Sequence, residues 1–184
     1  MKYDQQKVID HYEQYWHKKA ILKCFDKGPI QELPEDFSIA IFEPDSKRQM
    51  WTYATCGMSC GLLCGFLELH LFSPIESNLH IELLTTIAHY HQTGQALDLG
   101  HTVNFGRPWL NDSLCEYGLI SLPYLDGPSL ENLKKGNMTI RCLWLIPITK
   151  SEVEFKKQYG LDLLEEQFEK TQFNYLDINR RSVV

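Results

Sequence analysis

Leu143-Trp144-Leu145-Ile146-Pro147-Ile148 is the stretch on which the reading of the fold turns. Its unbroken apolar run reads as a buried strand. It passes straight into Thr149-Lys150-Ser151-Glu152, a helix start with its cap and its acid written in. That helix breaks at Gly160 and resumes as Leu161-Asp162-Leu163-Leu164-Glu165-Glu166-Gln167-Phe168. The chain then closes on Asp177-Ile178-Asn179-Arg180-Arg181-Ser182. The order of parts is therefore strand, Pro-Ile-Thr, capped helix, glycine, second helix and Asp-x-x-Arg-x-Ser.

Outward from this segment the same rules place the other elements. Val8, Ile9, Tyr12, Tyr15, Trp16 and Ala20 make one apolar stripe, which predicts a helix from about Gln5 to Leu22 that docks on something. Strand-like runs cover Phe37 to Phe42, Trp51 to Ser59 and Phe66 to Phe72. In the last of these, Leu67, Leu69 and Leu71 share one side, and that all-Leu face is expected to be the core face. Ser73-Pro74-Ile75-Glu76 has the form of a capping box, so a turn of helix is expected there, with the main central helix from Leu79 to Thr93 and its stop at Gly94. Strands resume at Thr102 to Phe105, Cys115 to Leu122 and Thr139 to Ile146, punctuated by Asp126-Gly127-Pro128 and Lys135-Gly136-Asn137. Segregated runs of this kind favour an α+β fold, helices packed on a mostly antiparallel sheet, rather than strict βαβ alternation. No linker splits the chain, so residues 1–184 are expected to form a single domain.

Composition narrows the function classes. At 184 residues with 43% hydrophobic and 23% charged side chains, the chain has ordinary globular proportions. No run approaches the ~20 apolar residues of a membrane span, and Met1-Lys2-Tyr3-Asp4-Gln5-Gln6 is too polar to open a signal peptide, so a soluble, cytoplasmic protein is expected. The net charge of −6 argues against a nucleic-acid surface, which needs clustered Lys and Arg, and suits either plain solubility or a basic protein partner. Cys24, Cys56, Cys60, Cys64, Cys115 and Cys142 read as free, mostly buried thiols, since the chain is neither small nor equipped for export.

Chemistry-bearing residues are scattered. His89 and His91 lie two apart and face away from each other on a helix, so they cannot share one ion, and no metal site is expected. Cys56, Cys60 and Cys64 would align only on a helix, which Gly57, Gly61 and Gly65 oppose. No phosphate loop is present, and no cofactor is implied. An enzyme reading would rest on His70, His89, His91 and His101 as a small hydrolase, with or without metal. Asp177 and Arg180 read as an ion pair pinning the tail to the body, or alternatively as a partner-contact edge. Trp144 reads as core, whereas Trp109 follows Arg107-Pro108 in a loop and is a candidate exposed anchor.

The ordered series also resembles a known family. Thr52-Tyr53-Ala54-Thr55-Cys56-Gly57-Met58-Ser59, Glu68-Leu69-His70-Leu71, Leu83-Leu84 with Ala88, Gly100-His101-Thr102-Val103, Phe105-Gly106-Arg107-Pro108, Pro147-Ile148-Thr149 with Glu152, Gly160, and Asp177 with Arg180 and Ser182 together are similar to Suppressor-of-fused-like domains, most clearly over residues 53–184. The resemblance implies a mixed α/β sandwich that binds proteins and has no catalytic activity. Animal members hold a zinc-finger transcription factor by a form of strand addition. Short bacterial members look like immunity proteins that neutralise a toxin domain, often a basic nuclease. On this reading the expected partner is a protein, the alternative being an endogenous protein that is inhibited or scaffolded. Glu68, Asp98, Arg107, Trp109, Asp177 and Arg180 are the candidate partner-binding residues.

Overall fold

In the computed structural model, residues 5–28, 30–60 and 66–184 are described. Helix α1 (Gln5–Trp16) leads into strands β1 (Ile21–Lys23), β2 (Ser38–Phe42), β3 (Trp51–Cys56) and β4 (Leu67–Ser73), with a 3-10 turn at Met58–Cys60. Helix α2 (Asn78–Thr93) is followed by β5 (Thr102–Asn104), β6 (Tyr117–Ser121), the short α3 (Pro128–Glu131), β7 (Asn132–Lys135) and β8 (Met138–Ile148). Helices α4 (Lys150–Tyr159) and α5 (Leu161–Thr171) complete the series.

Among the described residues the eight strands form one sheet in the order β1-β2-β3-β4-β8-β6-β5, with β7 also paired to β8. Every pairing is antiparallel except β4 with β8, which run parallel from Leu67↔Arg141 to His70↔Trp144. The architecture is α+β, as the segregated runs imply. Strand β8 is the spine: its first half pairs with β7, its middle with β4 and its second half with β6.

Both faces of the sheet are covered. On one, Ile81, Leu84, Ile87 and Ala88 of α2 meet Ile39, Ile41, Leu67, Leu69, Leu71, Leu143 and Leu145. On the other, Val8, Ile9, Tyr12 and Trp16 of α1 cover Ala40, Phe42, Ala54, Cys56, Ile140 and Cys142. Beside α1, Val153, Leu164 and Phe168 of α4 and α5 cover Phe72, Trp144, Ile146 and Ile148. The expected single core face of β4 is thus corrected: all seven of its residues are buried. The all-Leu side faces α2, while Glu68, His70 and Phe72 are shut in beneath the opposite layer.

Two helix boundaries also depart from expectation. Helix α1 ends at Trp16, six residues before Leu22, because His17 turns left-handed (φ 52°) and Lys18 N–H donates back to Glu13 C=O at 3.1 Å. This is a Schellman closure with histidine standing where glycine is usual. The Ser73 box does not start a helix: its hydroxyl is spent on the Ile75 backbone and on His80 Nε2 at 3.0 Å. Helix α2 is capped instead by Ser77, whose hydroxyl accepts from Leu79 N–H. Helix α3 and strand β7 stand as elements of their own where the sequence pattern offers only the punctuation of Asp126-Gly127-Pro128 and Lys135-Gly136-Asn137.

Candidate partner-binding surface

Side chains of β8 alternate, so Trp144 and Ile146 face the layer formed by α4, α5 and the tail. From α1 to α5 that face carries an almost continuous row of rings. Trp16 meets Phe42 edge-on at 4.7 Å and His70 at 5.8 Å; His70 meets Phe72 at 5.2 Å, and Phe72 meets Trp144 at 5.2 Å. Tyr175 stands perpendicular to Trp144 at 5.2 Å, and Phe173 links Tyr175 to Phe168. Such contacts add to area burial, at about 0.5–1.5 kcal/mol per pair.

Two arginines are bound into this layer by one chemistry. The Arg48 guanidinium lies 5.1 Å from the Trp16 ring and 4.8 Å from that of Phe72, and it donates through both amino groups to Asp126 at 2.8 and 3.0 Å. Trp16 Nε1 donates to the same carboxylate at 3.2 Å. Arg180 lies 5.4 Å from the Phe173 ring and is bidentate to Glu152 at 2.7 and 2.8 Å. In each case a planar cation stacks on a ring and forks onto a carboxylate.

Between these two arginines, α5 and the tail leave a cavity of about 260 Å³ against the sheet. Trp144, Ile146, Phe168, Phe173 and Tyr175 line its interior, while Tyr124, Leu125, Glu165 and Glu169 complete its border. Tyr124 and Leu125 are 57% and 49% exposed, so an apolar patch adjoins the opening. Glu165 accepts from the hydroxyls of Ser121 and Tyr124, each at 2.8 Å. Burial, then the Glu165 hydrogen bond and the carboxylates of α5, push the Tyr124 phenol up to about 12. Among the described residues, the buried Trp144 indole N–H has no acceptor and neither ring nitrogen of His70 has a partner. A second cavity, of about 310 Å³, lies between α2 and edge strand β5, lined by Leu83, Ile87, Tyr90, Val103 and Phe105 without a carboxylate or basic side chain.

The six candidate residues are not brought together. Glu68 is fully buried, accepting from the hydroxyls of Thr55 and Ser59 at 2.6 Å and from the amides of Gly57, Met58 and Ser59 at 3.0–3.2 Å. Trp109 is not an exposed anchor: it is 2% exposed, stacks on His80 at 5.6 Å and donates to Ser113 at 2.9 Å. Arg180 is buried, and the acid it holds is Glu152 rather than Asp177. Asp98 pairs with Arg141 and Arg107 with Glu82, both near the surface, and Asp177 is exposed two residues beyond Tyr175. The hydrolase set does not converge either. His70 lies beneath the α1 layer with its pKa lowered to about 3 by burial, whereas His89 and His91 ride on α2 across the sheet. His91 Nδ1 accepts from Leu97 N–H, and His101 Nδ1 from Asp98 N–H. Among the described residues no three His, Cys, Asp or Glu gather as metal ligands would, and no helix is long and apolar enough to cross a membrane. The described cysteines are free, with Cys56, Cys115 and Cys142 buried and Cys24 exposed; Cys64, with residues 61–65, lies outside the described residues.

Comparison with known proteins gives a family model, Suppressor of fused protein, matching residues 66–181. The structure of a Suppressor of fused homologue from Neisseria gonorrhoeae superposes with a TM-score of 0.84 at 35% identity, covering 98% of this chain and 96% of that one. The Sufu–Fu complex gives a TM-score of 0.72 at 17% identity, with 97% and 91% of the chains covered. Drosophila Suppressor of fused gives 0.70 at 16% identity, and there this chain spans 50% of the longer protein. No curated protein matches the chain.

Proposed function

This chain belongs to the Suppressor of fused protein family, and on that footing we propose that it works by holding a protein partner rather than by turning over a substrate. One observation carries the reading: an open cavity walled by aromatic side chains sits beside exposed Tyr124 and Leu125 and is bordered by Glu165 and Glu169. Aromatic anchors at the centre of a patch with polar groups at its edge are how protein interfaces concentrate their affinity. The partner is a basic toxin domain and the chain its cytoplasmic immunity protein. The net charge of −6 supports this, as does α5, where Asp162, Glu165, Glu166 and Glu169 outnumber Lys170. Asp177 belongs to the contact surface, since it adjoins the cavity in sequence, whereas Asp98 and Arg107 would enlarge it from more distant loops.

Co-expression with a toxin encoded beside the gene tests this. Rescue of growth and a stoichiometric complex are expected; no complex and no rescue would sink the immunity role. The Sufu–Fu complex shows a partner bound to a protein of this fold, and it favours one other reading, an endogenous partner that is inhibited or scaffolded. Pull-down from the native host separates the two by the identity of what is retained.

A further inference from the structure

The cavity beneath α5 repeats a chemistry that the chain already uses twice, with one component left out. Around Arg48 and around Arg180, aromatic rings and a carboxylate enclose a guanidinium. In the cavity the rings are Trp144, Phe173 and Tyr175 and the carboxylates are Glu165 and Glu169. Among the described residues neither carboxylate forms an ion pair, although α5 does make one elsewhere, between Lys170 and Glu166 at 3.2 Å.

We propose that this cavity receives an arginine residue of the protein partner, its guanidinium stacked on the rings and paired with Glu165 and Glu169, and its aliphatic stem packed on Ile146 and Phe168. The proposal rests on the protein-binding reading and assigns it a point of contact. Two needs select the occupant. The carboxylates call for a cation, and a planar one suits the ring walls better than the point charge of a lysine. The apolar walls beside the rings, Ile146 and Phe168, call for a methylene stem behind that cation. An arginyl residue carries both groups; a free guanidinium carries only the first. Burial contributes most to the raised Tyr124 pKa, and the smaller part added by Glu165, Glu169 and Asp162 reflects a negative field that acts in the same direction.

Titration of the whole protein with N-acetyl-arginine methylamide, followed by proton–nitrogen NMR, tests the assignment directly. The indole signal of Trp144 is the reporter, distinguished by assignment from those of Trp16, Trp51 and Trp109. Expected are a saturable shift of that signal, a weaker response to the norleucine amide and to methylguanidinium, and about a tenfold loss of affinity for the arginine amide in E165Q/E169Q. The remainder of the spectrum reports whether that variant stays folded. A Trp144 signal that ignores the arginine amide overturns the proposal, as does one that answers norleucine or methylguanidinium equally well. A whole partner that still binds with unchanged affinity to E165Q/E169Q removes this point of contact and leaves the protein-binding reading standing; a parent protein that retains no partner at all removes both.

Discussion

Glu68 and Glu152 are both glutamates without exposed surface, and the chain keeps these two carboxylates by different means. Glu68 sits where β3 runs into the 3-10 turn, and neutral donors gather on it: two hydroxyls and three successive amides. Glu152 closes a capping box with Thr149, accepting from its amide at 2.7 Å, and then takes the full guanidinium of Arg180. That guanidinium also donates to the carbonyl of Pro147, and Val183 N–H reaches Glu152 Oε1 at 3.1 Å. The first arrangement is local and fixes the path of one turn. The second spans 28 residues of sequence and fastens the tail, with Tyr175 and Phe173, over the sheet. Neutral donors share the work among many partners, so each matters moderately; a single cation concentrates it.

The sharpest way to break this comparison is Arg180→Ala. It leaves Glu152 buried and uncompensated, and a loss of about 3–5 kcal/mol is expected in denaturant unfolding. Because the tail walls the cavity, response to the arginine amide should vanish in the same variant. Arg180→Met with Glu152→Met should cost less than Arg180→Ala, since no charge is stranded, although the cap is lost at about 1 kcal/mol. Glu68→Gln comes next, at about 1–3 kcal/mol, because an amide keeps one acceptor and sets an NH₂ against donors that need oxygen. A Glu68→Gln cost above that of Arg180→Ala would show that dispersed neutral donors hold a carboxylate more strongly than one cation.

How much of this was legible follows from the range of each interaction. Strand β8, the Thr149 to Glu152 start and the Gly160 break are local signals, and each stands where the pattern puts it. Helix ends made by His17 and Gln172, both left-handed at φ 52° and 48°, carry no glycine and so give no stop signal. The tail arginine could be read as a pin, but not its acid: Asp177 is near in sequence, while Glu152 is near only once α4 has docked. Trp109 was read from its loop, where only the packing of His80 against it reveals burial. The cavity was out of reach, since its walls come from Ser121, Trp144, Glu165 and Tyr175, and no period joins those positions.

The smallest expected effect sharpens the comparison by adding a buried titratable group with no charge partner in contact. His70 lies on the same strand as Glu68, two residues on, with both ring nitrogens unpaired among the described residues. Burial lowers its pKa from 6.5 to about 3, with Asp126 opposing and Arg48 assisting, and burial does the same to His80. Above pH 6.5 folded and unfolded states are both neutral there, so His70 contributes no pH dependence. As pH falls from 6.5 toward 3 the unfolded chain gains a proton that the folded chain refuses, and stability drops by up to about 1.4 kcal/mol per pH unit for each histidine. Glu68 has the opposite sense. Burial raises its pKa against the pull of Ser59 and Thr55, so its contribution is fullest below 4.5 and is lost as pH rises through the folded value. His70→Phe should cost within about 1 kcal/mol at pH 7, because a ring of similar size replaces two unpaired nitrogens among Trp16 and Phe72. Measured by unfolding between pH 6 and pH 4.5, its stability should fall less steeply than that of the parent, by up to about 1.4 kcal/mol per pH unit. An unchanged slope would mean that His70 is protonated in the folded state, with Asp126 rather than burial deciding its charge.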